Sequence, residues 1–364
     1  MKYPVAEPLL GDRELAYVTD ALRAGEVSSI GSYVGRFEDA FAAYCGVEHA
    51  LATSNGTTAL HLALLALGVG PGDEVLVPAL TFVATANVVV HAGATPVFVD
   101  VDPDYWGMDP EAAKAKVTSR TKAIIAVHLY GHPADVRALR AIADEHRLAL
   151  IEDAAEAHGA TCDGARVGGL ADVGCFSFYG NKIVTTGEGG MLTTHSEALA
   201  ATVKQLRDQG TDPQRRYWHP VIGYNYRLSN LPAAVGLAQV ERIDEMLAHK
   251  HRILAAYQRG LDGAPLRFQS VAPWARPVNW LTSVVVEDNA PLGAEVLMTK
   301  LAEREIESRP FFVPLPSLPP YHEDVSYPVA ERLGNQGISL PSGAGLTDED
   351  VAYISGAVRE LLGA

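Results

Sequence analysis

The sequence feature that most constrains the fold is an alternation of short apolar runs with helical patterns between residues 49 and 194. Several runs are rich in β-branched residues and are bounded by Gly, Pro or Asp, as buried strands are. Between them, apolar residues recur at helical spacing in 57–68, 134–146 and 197–210. This alternation predicts an α/β domain with a largely parallel sheet. Its seven predicted strands are 49–53, 74–78, 95–100, 122–130, 148–153, 173–178 and 189–194.

Further helical patterns flank this region and indicate a second domain. Two precede it, at 11–25 and 36–46, and one long helix is predicted to run from Ser229, as its cap, to residue 261. A chain of 364 residues with 48% hydrophobic content is long enough for two cores. We therefore expect a large domain of residues 1–240 and a smaller C-terminal α+β domain of residues 241–364, with the long helix connecting them.

The C-terminal third contains a strand pattern at 281–287, a helix pattern at 292–305 and a final helix after Thr347 as its cap. Between the two helices, residues 309–322 include five prolines in fourteen residues. Proline restricts the backbone and cannot donate to a sheet, so this segment is predicted to be a rigid surface loop.

Composition excludes several classes of function. A net charge of −15 argues against nucleic acid as a partner, because phosphate backbones are bound by basic surfaces. The twelve histidines form no HExxH motif and no close cluster, so no metal site is expected. The three cysteines lack metal or CxxC spacing, and neither a signal-peptide core nor a membrane-spanning apolar run is found. These features predict a cytoplasmic protein with no membrane partner.

Two motifs at the ends of predicted strands could bind a ligand, since parallel α/β sheets bind ligands at those ends. The segment SNGTT (54–58) follows the first strand and opens a helix, where glycine and free amides can hold a phosphate. A plain turn with a threonine cap would look the same. Asp153 ends a buried strand and could pair with a protonated pyridine nitrogen. It could equally cap the following helix.

Two further motifs carry basic side chains. Lys182 lies in SFYGNKIVTTGEGG among small and apolar residues, where desolvation can neutralise its amine for attack on an aldehyde. Ser177, five residues earlier, could bind a phosphate of the same ligand. Arg227, in GYNYRLSN, could hold a carboxylate or phosphate. The simpler alternatives are a surface lysine and aromatic residues packed at a domain interface. No GxSxG, GxGxxG or P-loop motif is present to suggest an esterase, dinucleotide or nucleotide-triphosphate site.

Taken in order, the motifs SNGTTA, EDAAEAHGA, SFYGNKIVTTGEGGM and GYNYRLSN resemble those of the DegT/DnrJ/EryC1/StrS sugar aminotransferases. The resemblance covers almost the whole chain. It implies fold type I, the aspartate aminotransferase type, with a mostly parallel seven-stranded sheet and pyridoxal 5'-phosphate (PLP) as cofactor. It also implies a homodimer with shared active sites. Within the family, the stretches LRDQGTDPQRRYWHPVIGYNYR and GNKIVTTGEGGM look closest to the GDP-perosamine synthases, which aminate C4 of GDP-4-keto-6-deoxymannose with glutamate.

The resemblance assigns roles to individual residues. Lys182 would bond to the cofactor aldehyde and then move the substrate proton, and Asp153 would pair with the ring nitrogen. Glu156 would lie near the ring hydroxyl and Phe82 on the ring face, although Phe82 could also be a core residue. The remaining expected contacts are to the phosphate from Gly56, Thr57 and Ser177, to the neighbouring subunit's cofactor from Asn225, and to the substrates from Arg227, Tyr217 and Arg309.

One departure from the GDP-perosamine synthase pattern concerns the proline-rich segment. Val313 and Pro316 stand where those enzymes tend to have histidines that help to shape the sugar site. UDP- or dTDP-linked keto sugars and keto-cyclitols therefore remain alternative substrates. Sugar dehydratases of the family have histidine in place of the lysine, so Lys182 disfavours that activity. An intact set of lysine, aspartate and serine also disfavours a non-catalytic regulator with this fold.

Overall fold

A computed structural model describes all residues, 1–364. Its main sheet has seven strands in the order β1-β9-β8-β5-β4-β2-β3, and only β9 is antiparallel to its neighbours. The largely parallel sheet is thus confirmed, and β6 and β7 form a separate three-stranded sheet with residues Ala275–Arg276. The strands are β1 His49–Thr53, β2 Glu74–Pro78, β3 Thr95–Val99, β4 Thr121–Val127, β5 Ala149–Asp153, β6 Thr161–Cys162, β7 Ala165–Arg166, β8 Val173–Ser177 and β9 Gly190–Thr194.

Helices cover both faces of this sheet. Successive strand residues belong to different cores: Ile125 lies in the largest cluster and Ile124 in a separate one, as the alternation of strand side chains requires. Burial on both faces explains why the strands are continuous apolar runs. The helices of this part are α1 Asp12–Arg23, α2 Ser32–Cys45, α3 Gly56–Ala66, α4 Ala84–His91, α5 Pro110–Lys116, α6 Val136–His146 and α7 Glu197–Arg207.

The single long helix predicted after Ser229 is wrong, because the structure has two. Helix α8 spans Asn230–Val240 and α9 spans Ile243–Gly260. Helix α8 packs on α1 and α2, and the break follows at Arg242, whose φ of −121° and ψ of 8° are not helical. The Arg242 guanidinium donates to Glu14 of α1, so a tertiary contact coincides with the break in a continuous helical pattern. Ser229 is at the cap position, but its side chain makes no capping bond.

The C-terminal part forms a second, antiparallel sheet in the order β10-β12-β14-β13, with its own core of 17 residues. The final helix begins after Thr347, whose hydroxyl accepts from the Asp350 amide, as predicted. Tyr3, at the start of the chain, belongs to this core and pairs with Ile306. The division after residue 240 stays a prediction. The elements are β10 Leu266–Phe268, β11 Ala275–Arg276, β12 Thr282–Val286, α10 Ala294–Ala302, β13 Arg309–Pro310, α11 Pro328–Gln336, β14 Gly337–Leu340 and α12 Asp348–Leu362.

The proline-rich segment differs from the predicted surface loop. Phe311 and Leu315 are buried, and the Leu315 amide donates to the Ala79 carbonyl just after β2, at 2.7 Å. Short 3-10 turns form at Leu315–Ser317 and Pro319–Tyr321. The apolar residues between the prolines pack on the large sheet's core, so the segment joins the two halves of the chain. No helix in the structure is long and apolar enough to cross a bilayer.

Candidate active site

A cavity of about 660 Å³ lies at the carboxyl ends of the main sheet's parallel strands. Such a position is expected, because the strand ends and following loops leave a crevice there. The loops after β1, β2, β5 and β8 each contribute to its wall, and β13 closes it from the second sheet. Eight of the residues proposed from the sequence line this one cavity: Gly56, Thr57, Phe82, Asp153, Glu156, Ser177, Lys182 and Arg309.

The side chain of Lys182 points into the cavity from the loop after β8. Its Nζ atom lies 3.7 Å from Oε1 of Glu156 and 3.9 Å from the ring centroid of Trp280. Burial lowers the pKa of Lys182, whereas the nearby carboxyl groups of Glu156 and Asp153 oppose that shift. The lowered pKa favours the neutral amine, which is the form that attacks a carbonyl carbon.

Glu156 is fixed by the loop after β4. Its Oε2 accepts a 2.8 Å hydrogen bond from the backbone N–H of Tyr130, whose φ of 55° turns the chain away from the strand. This turn is why β4 ends at Val127 rather than continuing to residue 130. Burial raises the pKa of Glu156 to about 7. The carboxyl group can therefore change its charge beside Lys182 in the neutral pH range.

Asp153 is the last residue of β5 and is buried in the cavity wall. Its Oδ2 accepts from the Thr85 hydroxyl at 2.8 Å and its Oδ1 from the Ala155 amide at 3.3 Å. Burial raises the pKa of Asp153, while the Thr85 hydrogen bond opposes that rise. No cation of the chain lies within ion-pair distance of it, so this buried carboxylate would be stabilised by a positively charged ligand group.

The loop between β1 and α3 comes unusually close to the end of β8. A Cβ atom on Gly56 would lie 2.8 Å from the Ser177 Cβ, so this approach requires glycine. At the start of α3 the Asn55 side chain accepts from the Thr58 amide. The first amides of a helix have no intrahelical partner, so those of Gly56 and Thr57 remain available to an anion beside the Ser177 hydroxyl.

Tyr217, Asn225 and Arg227 do not line the cavity. Arg227 forms an ion pair with Asp208 at 3.0 Å, and its Nε donates to Asn225 Oδ1 at 3.0 Å. Tyr217 is 79% exposed. The roles proposed for these three residues remain predictions, and the one for Asn225 concerns a neighbouring subunit. Phe82 is in the lining and 54% exposed, with its ring centroid 5.7 Å from that of Phe312.

Four residues that line or support the cavity were not found from the sequence. Thr85 bonds to Asp153 from α4, a helix that the apolar spacing did not reveal. Tyr130, Trp280 and Phe312 contribute aromatic wall from loops that are distant in sequence. The only sequence signal for Thr85 was that it is a polar residue in the largely apolar segment PALTFVATAN. No sequence signal marked the three aromatic residues.

The sequence matches a known family over nearly its whole length. Residues 8–359 match the model of the DegT/DnrJ/EryC1/StrS aminotransferase family. The chain belongs to this family. The aminotransferase is 47% identical over 364 residues to a GDP-perosamine synthase of Caulobacter vibrioides, covering 98% of each chain. It is 42% identical over 359 residues to the GDP-perosamine synthase of Vibrio cholerae, again covering 98% of each.

Solved structures agree with this assignment and with fold type I. A sugar aminotransferase of Streptococcus pneumoniae, solved in its PLP form, superposes with a TM-score of 0.94 at 28% identity, covering 99% of the aminotransferase and 98% of that chain. DesV of S. venezuelae superposes with a TM-score of 0.91 at 36% identity, covering 96% and 94%. The family is therefore one of PLP-dependent enzymes, and the expected α/β fold with a mostly parallel seven-stranded sheet is confirmed.

Proposed function

We propose that this aminotransferase moves an amino group from L-glutamate to C4 of GDP-4-keto-6-deoxymannose, giving GDP-perosamine, with pyridoxal 5'-phosphate as its cofactor. The observation that carries the proposal is the amine of Lys182, whose side chain is only 12% exposed and which shares one cavity with Asp153 and Glu156. The full-length similarity to GDP-perosamine synthases supports the choice of substrate.

The residues of the cavity fit PLP. The unpaired buried carboxylate of Asp153 suits a positively charged ring nitrogen, and the open amides of Gly56 and Thr57 beside Ser177 suit a phosphate. Glu156 would contact the ring hydroxyl, and Phe82 would cover one face of the ring. When bound, the cofactor supplies an electron sink that allows a proton to leave the carbon bearing the amino group.

The chain's own residues then divide the remaining work. The neutral amine of Lys182 would hold the cofactor through its aldehyde carbon and would move the proton at the substrate carbon. The carboxylate of Asp153 would keep the ring nitrogen protonated. Glu156 lies 3.7 Å from the lysine amine, and its charge influences the balance between the charged and neutral forms of that amine. The buried walls exclude water that would compete for the bound groups.

The substrates need cations for the glutamate carboxylates and the nucleotide phosphates. Arg309 lines the cavity from β13, and its guanidinium donates only to Glu307, at 3.1 Å, so it remains able to bind a carboxylate. Arg227 and Tyr217 would contact the nucleotide sugar or glutamate from their loop. Two substrates that use one site in turn should give ping-pong kinetics.

The substrate is tested with glutamate and a panel of GDP-, UDP- and dTDP-linked 4-keto-6-deoxy sugars and a keto-cyclitol, read by mass spectrometry. We expect exchange of oxygen for an amino group on the GDP sugar. Val313 and Pro316 lack the hydrogen-bonding side chains of the histidines that GDP-perosamine synthases tend to have. Conversion of only a UDP- or dTDP-linked sugar, or of a keto-cyclitol, would refute the GDP assignment and leave the amination chemistry intact.

The role of the lysine is tested with Lys182→Ala, which should abolish turnover. The matched control is Lys114→Ala, because Lys114 is half-exposed and pairs with Glu145 on the surface. Glutamate should bleach the visible absorbance of the wild type and of the control, but not that of Lys182→Ala. Normal turnover by Lys182→Ala would contradict the assignment.

A homodimer with shared sites is also part of the proposal. The loop 217–222 exposes large apolar side chains, with Tyr217 79% and Ile222 91% accessible, which a second subunit would cover. If Asn225 serves the neighbouring site, mixed dimers of Lys182→Ala and Asn225→Ala subunits contain one intact site. Equal mixing of the two weakened variants should then restore about a quarter of the wild-type activity. No recovery on mixing, or a monomer by sedimentation, would contradict shared sites.

A further inference from the structure

Trp280 contacts the reactive lysine from the opposite half of the chain. It lies just before β12, is buried, and presents its ring face to the Lys182 amine, with Nζ 3.9 Å from the ring centroid. The carboxyl group of Glu156 is also near the amine, at 3.7 Å. The lysine is thus in contact with one carboxyl group from the loop after β5 and one aromatic ring from the segment just before β12.

Three contacts hold Trp280 in this orientation. Its Nε1 donates to the Asn181 carbonyl at 2.7 Å, so the ring is bonded to the residue that immediately precedes Lys182. Its backbone N–H donates to the Tyr130 carbonyl at 3.2 Å. The Tyr130 and Trp280 rings are stacked, with centroids 6.4 Å apart and planes inclined by 14°.

The backbone around Trp280 is adapted to this position. A Cβ atom on Gly131 would lie 2.9 Å from the Trp280 nitrogen, so the loop after β4 can approach only with glycine there. The preceding residue, Asn279, has a φ of 52°, a left-handed conformation that asparagine tolerates better than most residues. Both features bring the tryptophan close to the loop that carries Glu156's partner, Tyr130.

A buried lysine fixes the main chain of the same residue. Lys250 of α9 donates from Nζ to the Trp280 carbonyl at 2.8 Å and to the Ser342 carbonyl at 2.6 Å. No carboxylate lies within ion-pair distance of it, which is unusual because an unpaired buried ammonium is costly. The only function of this amine that the structure displays is to hold these two carbonyls against α9.

We propose that Trp280 is a positioning residue for Lys182, in that its ring face and its bond to the Asn181 carbonyl hold the amine beside Glu156. The proposal rests on the proposed function of Lys182. An indole face attracts an ammonium group and also walls the site against water. The second half of the chain thereby contributes to the geometry of proton transfer, which a small displacement of the amine would impair.

The test compares Trp280→Leu, which removes the aromatic face, with Trp280→Phe, which keeps a ring but loses the N–H donor. The control is Trp274→Phe, because Trp274 packs on Tyr105 and His132 away from the cavity. In the full chain without cofactor, the rate at which PLP and borohydride trap Lys182 is measured against pH. The modified peptide is identified by mass spectrometry.

The titratable groups that act on Lys182, namely Glu156, Asp153 and His158, are the same in every variant. Loss of the attraction between ring and ammonium should therefore move the pH midpoint of trapping down by about one unit in Trp280→Leu. The shift should be smaller in Trp280→Phe and absent in the control. In the holoenzyme, kcat of Trp280→Leu should fall on the order of 10–100-fold with the KM for glutamate little changed.

An unchanged or raised midpoint in Trp280→Leu overturns the proposal, and so does a fall in kcat without the shift in midpoint. If the leucine variant does not fold, the smaller shift in Trp280→Phe decides the question in the same way. Trapping requires no sugar, so a wrong sugar assignment leaves this test intact. A wild type that PLP does not modify at Lys182 would instead refute the proposed function.

Discussion

Replacing Lys250 by methionine should remove a pH dependence of stability that the structure places at this single residue. Burial lowers the pKa of Lys250 to about 7, compared with 10.5 for the free side chain. Between these two values the unfolded chain binds a proton that the folded chain does not. The free energy of unfolding should therefore rise with pH in this range. Below pH 7 the destabilisation that results from burying Lys250 is at its full size.

The size of the effect follows from these two pKa values. Linkage between pH 7 and pH 9 gives a rise of about 2 kcal/mol from this group alone. The carbonyls of Trp280 and Ser342 accept from Nζ and favour the ammonium form, so about 2 kcal/mol is the largest rise expected. Methionine leaves those carbonyls without a donor, at about 1–3 kcal/mol each, but that cost does not vary with pH.

The assay is denaturant unfolding of wild type and Lys250→Met at pH 7, 8 and 9, at one protein concentration. Circular dichroism and fluorescence should give coincident transitions, since a single free energy is defined only in that case. Other groups titrate equally in both proteins, so the difference between the two curves isolates Lys250. Parallel pH dependences in wild type and variant, or a wild type that loses stability relative to the variant as pH rises, would refute the reasoning.

Three further predictions concern the cavity and its support. Glu156→Gln removes a carboxylate 3.7 Å from Lys182 that favours the ammonium, so the pH midpoint of PLP trapping should fall by about 1–3 units; a rise would contradict this. Glu152→Ala leaves three backbone N–H groups without their carboxylate acceptor, and calorimetry should show that the free energy of unfolding falls by about 3–9 kcal/mol. Gly56→Ala brings a Cβ within 2.8 Å of Ser177, so absorbance titration should show about 5–100-fold weaker PLP binding, and wild-type affinity would refute the steric argument.

The main sheet and much of the site were accessible from the sequence because they depend on local patterns. Strands buried on both faces are apolar along most of their length, so all seven were found, with ends within three residues of those observed. Ligands bind at the carboxyl ends of such strands, which is why the sequence alone predicts Asp153, Ser177 and Lys182 in one site. The resemblance of the ordered motifs added the family and its cofactor.

Tertiary structure alone decided the features that depend on contacts between distant segments. The helical pattern after Ser229 is continuous, yet the helix is interrupted at Arg242, whose guanidinium donates a hydrogen bond to Glu14 of α1. Nothing near Trp280 in the sequence indicates that its ring lies on Lys182, because packing of the second sheet brings it there. The charge states of buried side chains also depend on the tertiary structure, because burial shifts their pKa values and only the folded chain buries them.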